Sequence, residues 1–403
     1  MTDMGSIRVT ETATRAAPAG LPDIDPLLAG LRESTAARDR RGGHPAAEKA
    51  SLRELGLLRL TLPRHHGGYE ADWRQTFSIL RRLAAVDSAL AHLLAFHYLQ
   101  LATVVLYGDA AQRDRLLGVT GADDLWWGNA LNLLDPRLHA DEAADGALVL
   151  DGVKSFCSGA YGSDMLVVSA LHRRTGKALL AVAPTGRPGI TVHDDWDPIG
   201  QRQTDSGSVS FAAVGIPATD VIRAPGVEPT LYQTLRICLG QLILVNLYAG
   251  IAAGALAEAR DYVRQQGRPW ILSDAERVED DHDVQRRFGE MHLQVEIAAR
   301  FTERAVELFD AAWTRGNAIT PAERGAASLA IMEAKVLAHR ASLFVGQEAF
   351  EATGARATRA ALGLDRFWRN ARTHTLHDPV DYKIRAIGRS ALLDEVPPPS
   401  LYS

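Results

Sequence analysis

The alternation of apolar and polar positions divides the chain into three blocks. Ala50, Leu52, Leu55 and Leu58 set a helical spacing over Ala46–Leu58, with Gly56 near its end, while Pro63, Gly67 and Gly68 make Leu60–Tyr69 a loop. Helical periodicity returns over Trp73–Val86 and His92–Tyr107 and stops at Gly108; Asp109–Leu117 reads as a further short helix. The pattern then shortens. Trp126–Asn132, Leu148–Val153, Met165–Ala170, Ala178–Ala183, Ile190–His193 and Ser208–Phe211 read as strands. Between them lie the turn signals Asp145-Gly146, Asp151-Gly152, Thr175-Gly176 and Arg187-Pro188-Gly189. Strands this close together leave no room for the crossover helices of a parallel sheet. No GxGxxG follows any of them, which excludes a dinucleotide-binding unit.

From Leu235 the helical period dominates again in much longer elements. Gln285–Trp313, Pro321–Thr353 and Thr358–Asn370 are expected helices, with breaks at Pro269, Gly316 and Gly354, and together they point to a bundle of about four helices. The expected domains are therefore 1–122, helical after a mobile Thr2–Pro26; 123–235, a small all-β domain; and 236–403, a helical bundle. The fold class is mainly α with a β-barrel-like middle domain.

One run tests this reading. Ile237–Ala257 is 21 residues without a charge, long enough to cross a bilayer. Gln241, Asn246, Gly240, Gly250 and Gly254 interrupt it and an amphipathic stretch, Glu258–Arg264, follows, so it is expected to be a buried helix of a soluble protein. The first residues lack the continuous apolar core of a secretory signal. The 44 Lys and Arg against 49 Asp and Glu give a net charge of -5, which argues against a nucleic-acid surface. Only Cys157 and Cys238 are present, too few for a disulfide framework, and a cytoplasmic protein is expected.

Four motifs resemble one family. Trp126-Trp127-Gly128-Asn129-Ala130-Leu131-Asn132, Lys154-Ser155-Phe156-Cys157-Ser158-Gly159, Ile199-Gly200-Gln201-Arg202-Gln203-Thr204-Asp205-Ser206-Gly207 and Arg372-Thr373-His374-Thr375-Leu376-His377-Asp378-Pro379 are similar to the flavin-dependent monooxygenases typified by dibenzothiophene monooxygenase. The resemblance runs from about residue 27 to 395 and implies the acyl-CoA dehydrogenase fold: helices, a β-barrel-like domain and a four-helix bundle. The departures from the parent dehydrogenases are equally informative. Where those enzymes carry Thr-Glu and Gly-Ser-Asp signatures this chain has Trp127-Gly128-Asn129-Ala130-Leu131. Where many carry a catalytic Glu followed by Gly-Thr, the comparable position is Asp378, followed by Pro379, whose ring restricts the preceding residue and removes an N–H. Thioester dehydrogenation is not expected.

The resemblance implies a two-component enzyme. A separate NAD(P)H-dependent reductase supplies reduced flavin (FADH2 or FMNH2), O2 is co-substrate, and one oxygen atom is inserted through a C4a-(hydro)peroxyflavin. Since the cofactor performs the difficult step, few catalytic side chains are needed. His377 is the expected acid/base, with His374 one turn before it and Asp378 beside it. His97, in Phe96-His97-Tyr98, matches a pocket histidine of the group. Asn129 and Ser158 are placed toward the flavin. Arg202 suits a phosphate, with Gln203, Thr204 and Ser206 nearby, and Trp196 is placed to pack on the ring or wall the pocket. Phe96, Tyr98, Trp126 and Trp127 are the expected substrate pocket, which favours an aromatic substrate, with hydroxylation of an indole- or carbazole-like ring ahead of sulfur oxidation or amine N-hydroxylation. By the same resemblance Leu343–Gly354 packs at the interface of a homotetramer. Competing classes are a flavin oxidase or dehydrogenase and a non-catalytic oligomeric binding protein.

No metal is expected. His65-His66 precede Gly67-Gly68 without a carboxylate partner in the sequence, and Glu333 and His339 do not have HExxH spacing. Cys157 reads as a small buried thiol, since nucleophilic character needs exposure and a lowered pKa.

Overall fold

The computed structural model describes residues 16–143, 147–400 and 402–403. The Asp145-Gly146 turn and most of the segment Thr2–Pro26 lie outside them.

Five helices open the chain: α1 (Asp25–Arg41), α2 (Ala46–Glu54), α3 (Trp73–Val86), α4 (Ser88–Tyr107) and α5 (Ala110–Asp123). Their starts are written in the sequence. Asp72 and Asp109 each form a capping box with the Gln three positions on, and Asp87 caps α4 by accepting from the N–H groups of Ala89 and Leu90. The stretch Ala46–Leu58 is two elements. Gly56, at φ 76°, ends α2 in a left-handed turn and a short 3-10 segment, Leu57–Arg59, follows.

Eight strands follow among the described residues: β1 (Trp127–Ala130), β2 (His139–Glu142), β3 (Leu148–Lys154), β4 (Met165–His172), β5 (Ala178–Pro184), β6 (Ile190–Val192), β7 (Val209–Ile216) and β8 (Val221–Arg223). They form one sheet in the order β6-β7-β3-β2-β4-β5-β8, with β1 also on β4. The pairing is mixed. β1 runs parallel to the first half of β4, and β2 runs parallel to its end. The intervening strands and turns carry the chain back, so no crossover helix is needed. On β4 and β5 both faces are covered: Leu166, Val168 and Ala181 pack in the sheet's own core, while Val167, Leu180 and Val182 meet Leu101 and Val104 of α4 and Leu116 of α5. That is why these strands read as continuous apolar runs.

The last block holds α6 (Leu235–Gln266), α7 (His282–Thr314), α8 (Pro321–Thr353), α9 (Asp365–Thr375) and α10 (Asp381–Leu393). The helix expected over Thr358–Asn370 begins later, because Gly363 at φ 62° turns the chain against Ala36 of α1. The uncharged run lies inside α6 and is buried in the protein itself. The most apolar window of α6 is 83% buried, and that of α4, nearly as apolar, is 89% buried. The polar interruptions of α6 have partners: Asn246 accepts from Arg81 at 2.8 Å and Gln241 from Lys335 at 2.5 Å. Its glycines let α3 press in. A Cβ on Gly254 would lie 2.1 Å from the Ala85 carbonyl oxygen, and one on Gly250 2.6 Å from Ala84 Cβ.

Candidate functional site

Four segments far apart in sequence converge: the start of α4, the turn after β3, the loop 199–207, and α9 with the residues just after it. The loop is held from three sides. Gly200 fits directly under α9, where a Cβ would lie 2.2 Å from the Arg369 carbonyl oxygen. The Gln201 N–H donates to Asn370 Oδ1 at 2.6 Å, and its side-chain amide donates to Ser88 Oγ at 3.0 Å. Gln203 accepts from Arg38 at 3.0 Å and donates to the carbonyls of Gly42 and Gly43, both at 3.4 Å.

So fixed, the loop meets the β3 turn through a chain of hydroxyls. Thr204 Oγ1 lies 2.8 Å from Ser206 Oγ, which lies 2.9 Å from Ser158 Oγ. The Gly159 N–H donates to the Thr204 carbonyl at 3.0 Å, and the Asn129 N–H to the Ser158 carbonyl at 3.0 Å. The Asn129 side chain donates to the Phe156 carbonyl at 3.4 Å, and its Oδ1 accepts from the Leu131 N–H and the Gln100 amide at 3.2 and 3.4 Å. Ser158 and Asn129, 29 positions apart in the chain, are thus one polar wall.

A second group in these segments is imidazole. His92 is fully buried, stacks on Phe96 with ring centroids 4.1 Å apart, and lies 4.8 Å from the ring of His374. Neither ring nitrogen of His92, nor Nδ1 of His374, has a hydrogen-bond partner among the described residues. Burial lowers the pKa of His92 to about 3, with the charge of His377 adding to the effect. Burial likewise holds His374 well below the ordinary value, with His92, His377 and Lys335 contributing. Both rings are therefore neutral near pH 7. Unpaired buried polar atoms are costly, which makes these three nitrogens candidates for a ligand contact. His377 is half-exposed, and its Nδ1 is 2.8 Å from Asp378 Oδ1.

His97 stands elsewhere. It is completely buried, its Nε2 bonds the Leu58 carbonyl at 2.8 Å, and its Nδ1 accepts from the Trp127 N–H at 3.1 Å. Both nitrogens are engaged with main chain, so His97 ties α4 to the 3-10 segment and to β1 and offers no lone pair or proton to a ligand. Burial takes its pKa down to about 4. His92, which was not among the expected site residues, is the α4 histidine whose ring nitrogens have no hydrogen-bond partner among the described residues. The signal was available: His92 and Phe96 are one helical turn apart and share a face, whereas His97 lies about 140° further round from His92.

The expected aromatic pocket is only partly assembled. Phe96 stacks on His92, and Trp126 is buried with an indole N–H that has no partner among the described residues. Tyr98 points into the helical core and donates to the Leu57 carbonyl at 2.6 Å; Trp127 faces α5 and donates to Thr120 Oγ1 at 2.9 Å. Trp196 donates to the Gln201 carbonyl at 2.9 Å and meets Phe156 edge-on at 6.2 Å, so it stands at the outer end of the loop. Arg202 is partly exposed and lies over Gly42, whereas Gln203 has both ends of its amide engaged inside the protein. Cys157 is buried, which pushes its thiol up to about 12 and removes it as a nucleophile. The carboxylate missing beside His65-His66 in the sequence is supplied by the fold: Asp114 of α5 brings an oxygen to 3.5 Å from His66 Nε2.

Family models of the acyl-CoA dehydrogenase N-terminal and C-terminal domains match residues 30–121 and 242–382. The chain is 47% identical to a probable FMNH2-dependent monooxygenase of Pseudomonas putida, over 93% of this chain and 95% of that protein. Its structure superimposes on methanesulfinate monooxygenase from Pseudomonas fluorescens with a TM-score of 0.91 at 43% identity, covering 94% and 98% of the two chains. It is also similar to the dibenzothiophene monooxygenase of a Paenibacillus species, in its complex with FMN and indole, with a TM-score of 0.89, 35% identity and the same coverage.

Proposed function

The chain belongs to the flavin-dependent monooxygenases of the dibenzothiophene monooxygenase type, built on the acyl-CoA dehydrogenase fold, and from that premise we propose that it oxidises the sulfur of a small organosulfur compound with O2 and reduced FMN. The observation that carries the reading is the pair His92 and His374, adjacent buried rings with three nitrogens that have no hydrogen-bond partner among the described residues.

These residues fit a flavin. Asn129, Ser158 and the hydroxyls of Ser206 and Thr204 offer donors and acceptors to the polar edge of a flat heterocycle. Arg202, at the partly exposed end of the loop, suits its phosphate, and Trp196 suits its outer face. Gln203 acts on the cofactor only through the loop it clamps. When bound, reduced flavin supplies the electrons that activate O2. The protein orients that group, keeps bulk water away with Phe96 and Trp126, and offers neutral imidazoles at His92 and His374 for hydrogen bonds at the reacting edge. His377 is the residue placed to hold and move a proton, at Nε2, because Asp378 takes Nδ1.

Two observations move the substrate from an indole carbon toward sulfur. Tyr98 and Trp127, half of the aromatic wall that favoured a large flat ring, pack into the helical core and against α5 with their polar atoms engaged. Two of the three similar proteins are named for sulfur substrates. Hydroxylation of an indole is the second reading, supported by the indole held in the Paenibacillus enzyme. An acyl-CoA dehydrogenase reaction is disfavoured because both oxygens of Asp378, at the position compared with the dehydrogenase base, already face the side chains of Lys335, Lys383 and His377. A separate flavin reductase completes the proposal. So does a homotetramer, supported by Phe156, Ile199 and Leu376, each more than 60% exposed beside site residues. The three-domain division and a cytoplasmic location, in keeping with two free buried thiols, are retained with it.

The test supplies enzymatically reduced FMN and 18O2 and follows label into product by mass spectrometry with an alkyl sulfinate, dibenzothiophene and indole in parallel. Label in a sulfur product at the highest rate supports the reading. Label only in an indole product would overturn the sulfur assignment, and peroxide without labelled product from any of the three would overturn the organosulfur and indole readings alike.

A further inference from the structure

Behind His377 lies a buried group of charges centred on Asp378. Asp378 is 4% exposed, and its neighbours are equally enclosed: Lys335 of α8 is 1% and Lys383 of α10 is 4% exposed. Lys335 Nζ pairs with Asp378 Oδ1, the oxygen that also faces His377 Nδ1 at 2.8 Å. Lys383 Nζ is 2.8 Å from Asp378 Oδ2. Each lysine has a second partner that fixes it: Lys335 donates to Gln241 Oε1 of α6 at 2.5 Å, and Lys383 to the Tyr402 carbonyl at 2.8 Å. Three helices and the C-terminal segment therefore converge on one carboxylate.

The arrangement has a chemical consequence. Although burial opposes it, the His377 hydrogen bond and the Lys335 and Lys383 ammoniums hold the Asp378 carboxyl well below the usual range, so it is a carboxylate at any pH of interest. A carboxylate can only accept, which obliges His377 to present Nδ1–H to it and leaves Nε2 as its one functional nitrogen. Pro379, immediately after, restricts the backbone of Asp378 and keeps the carboxylate in place.

Resting on the monooxygenase reading, we infer that Asp378 is a positioning residue for the proton-handling group His377, and that Lys335 and Lys383 act in opposition to it. The carboxylate favours the imidazolium, and the two ammoniums behind it oppose that effect. Other groups near His377 are the neutral rings of His92 and His374 and the phenol of Tyr402, 6.0 Å away edge-on. None of these carries charge near neutrality, so the balance lies between Asp378 and the lysines. His339, which faces Lys335, Asp378, Arg372 and Arg340, is unchanged in the variants below, as are both arginines.

Opposed charges give opposed responses. Diethyl pyrocarbonate acylates only neutral imidazole, and peptide mapping of the flavin-free full-length protein reads His377 alone. In Lys335→Met, which leaves the Lys383–Asp378 pair intact, the midpoint of modification against pH is expected to rise, by about one unit for loss of a nearby like charge. In Asp378→Asn it is expected to fall, and in Lys335→Arg to stay near the parent value. The pH profile of labelled product formation is expected to move the same way in each variant. Should Asp378→Asn not fold, because two buried lysines lose their counter-charge, the Lys335 pair of variants decides the matter. Movement of both midpoints in one direction, or none in Lys335→Met, would overturn the inference. A modification shift without a matching shift in turnover would overturn the link to catalysis. Absence of any oxygenation by the parent chain would instead overturn the monooxygenase reading, which the flavin-free measurement distinguishes.

Discussion

Two histidines five residues apart on α4 provide a quantitative test of which one serves the site. Replacing His97 with Leu keeps side-chain volume roughly constant and strands the Leu58 carbonyl and the Trp127 N–H, now bonded at 2.8 and 3.1 Å. Each buried group left without a partner costs about 1–3 kcal/mol, so His97→Leu should lose about 2–6 kcal/mol of stability. His92→Leu removes a ring that bonds nothing in the described protein and should change stability by no more than about 1 kcal/mol. Function should respond in the reverse order. His92→Leu is expected to release peroxide in place of product, whereas His97→Leu, assayed well below its lowered melting temperature, should keep most of its coupling. His97→Gln, whose amide both donates and accepts, should recover part of the stability. The measurements are denaturant melts of flavin-free protein at one fixed concentration and product-to-peroxide ratios at 15 °C. If His92→Leu proved as destabilising as His97→Leu and stayed coupled, the division between a structural and a ligand-facing histidine would be refuted.

The same histidines set an acid limit. In the unfolded chain they take up protons near pH 6.5, while in the folded chain His92 and His97 resist until about pH 3 and 4. The unfolded state therefore binds more protons between those values, and stability should fall as the pH drops below 6.5, by up to about 1.4 kcal/mol per unit for each ring. His92→Leu should flatten that slope in a pH series of melts; an unchanged slope would contradict it. Gly254→Val should force α3 and α6 apart, since even a Cβ would lie 2.1 Å from the Ala85 carbonyl oxygen, and is expected to cost about 3 kcal/mol or more; Gly388→Ala, whose added Cβ would meet nothing within 4 Å outside its own helix, serves as the tolerated control. Ser158→Ala breaks the hydroxyl chain at its 2.9 Å link to Ser206 and should raise peroxide release with little change in melting, whereas normal coupling would remove Ser158 from the site.

Much of the scaffold was legible because local rules state it. α8 runs over Pro321–Thr353 as its pattern demands, opened by the Thr320–Glu323 capping box and closed by Gly354 at φ 75°. The strands β4 and β5 announced themselves through β-branched and apolar runs. β2 did not, because His139-Ala140-Asp141-Glu142 has one buried residue and is held as a strand only by β3 and the end of β4. The late start of α9 was equally hidden, for it depends on Gly363 meeting Ala36 more than three hundred positions away.

By itself the sequence determined the three-block order of helices, sheet and bundle, and four motifs that identify the family. It also placed Asn129, Ser158, His374 and His377 among the residues to examine, because capping, periodicity and motif chemistry are all properties of neighbouring residues. Only the tertiary structure decided that His92 and not His97 has nitrogens to offer, that Tyr98 and Trp127 pack into the core, that Ser158 joins Ser206 across 48 positions, and that Lys335 and Lys383 close on Asp378. Hydrogen-bond satisfaction and burial are relations between distant segments. They come into being when the segments pack, and no spacing along the chain encodes them.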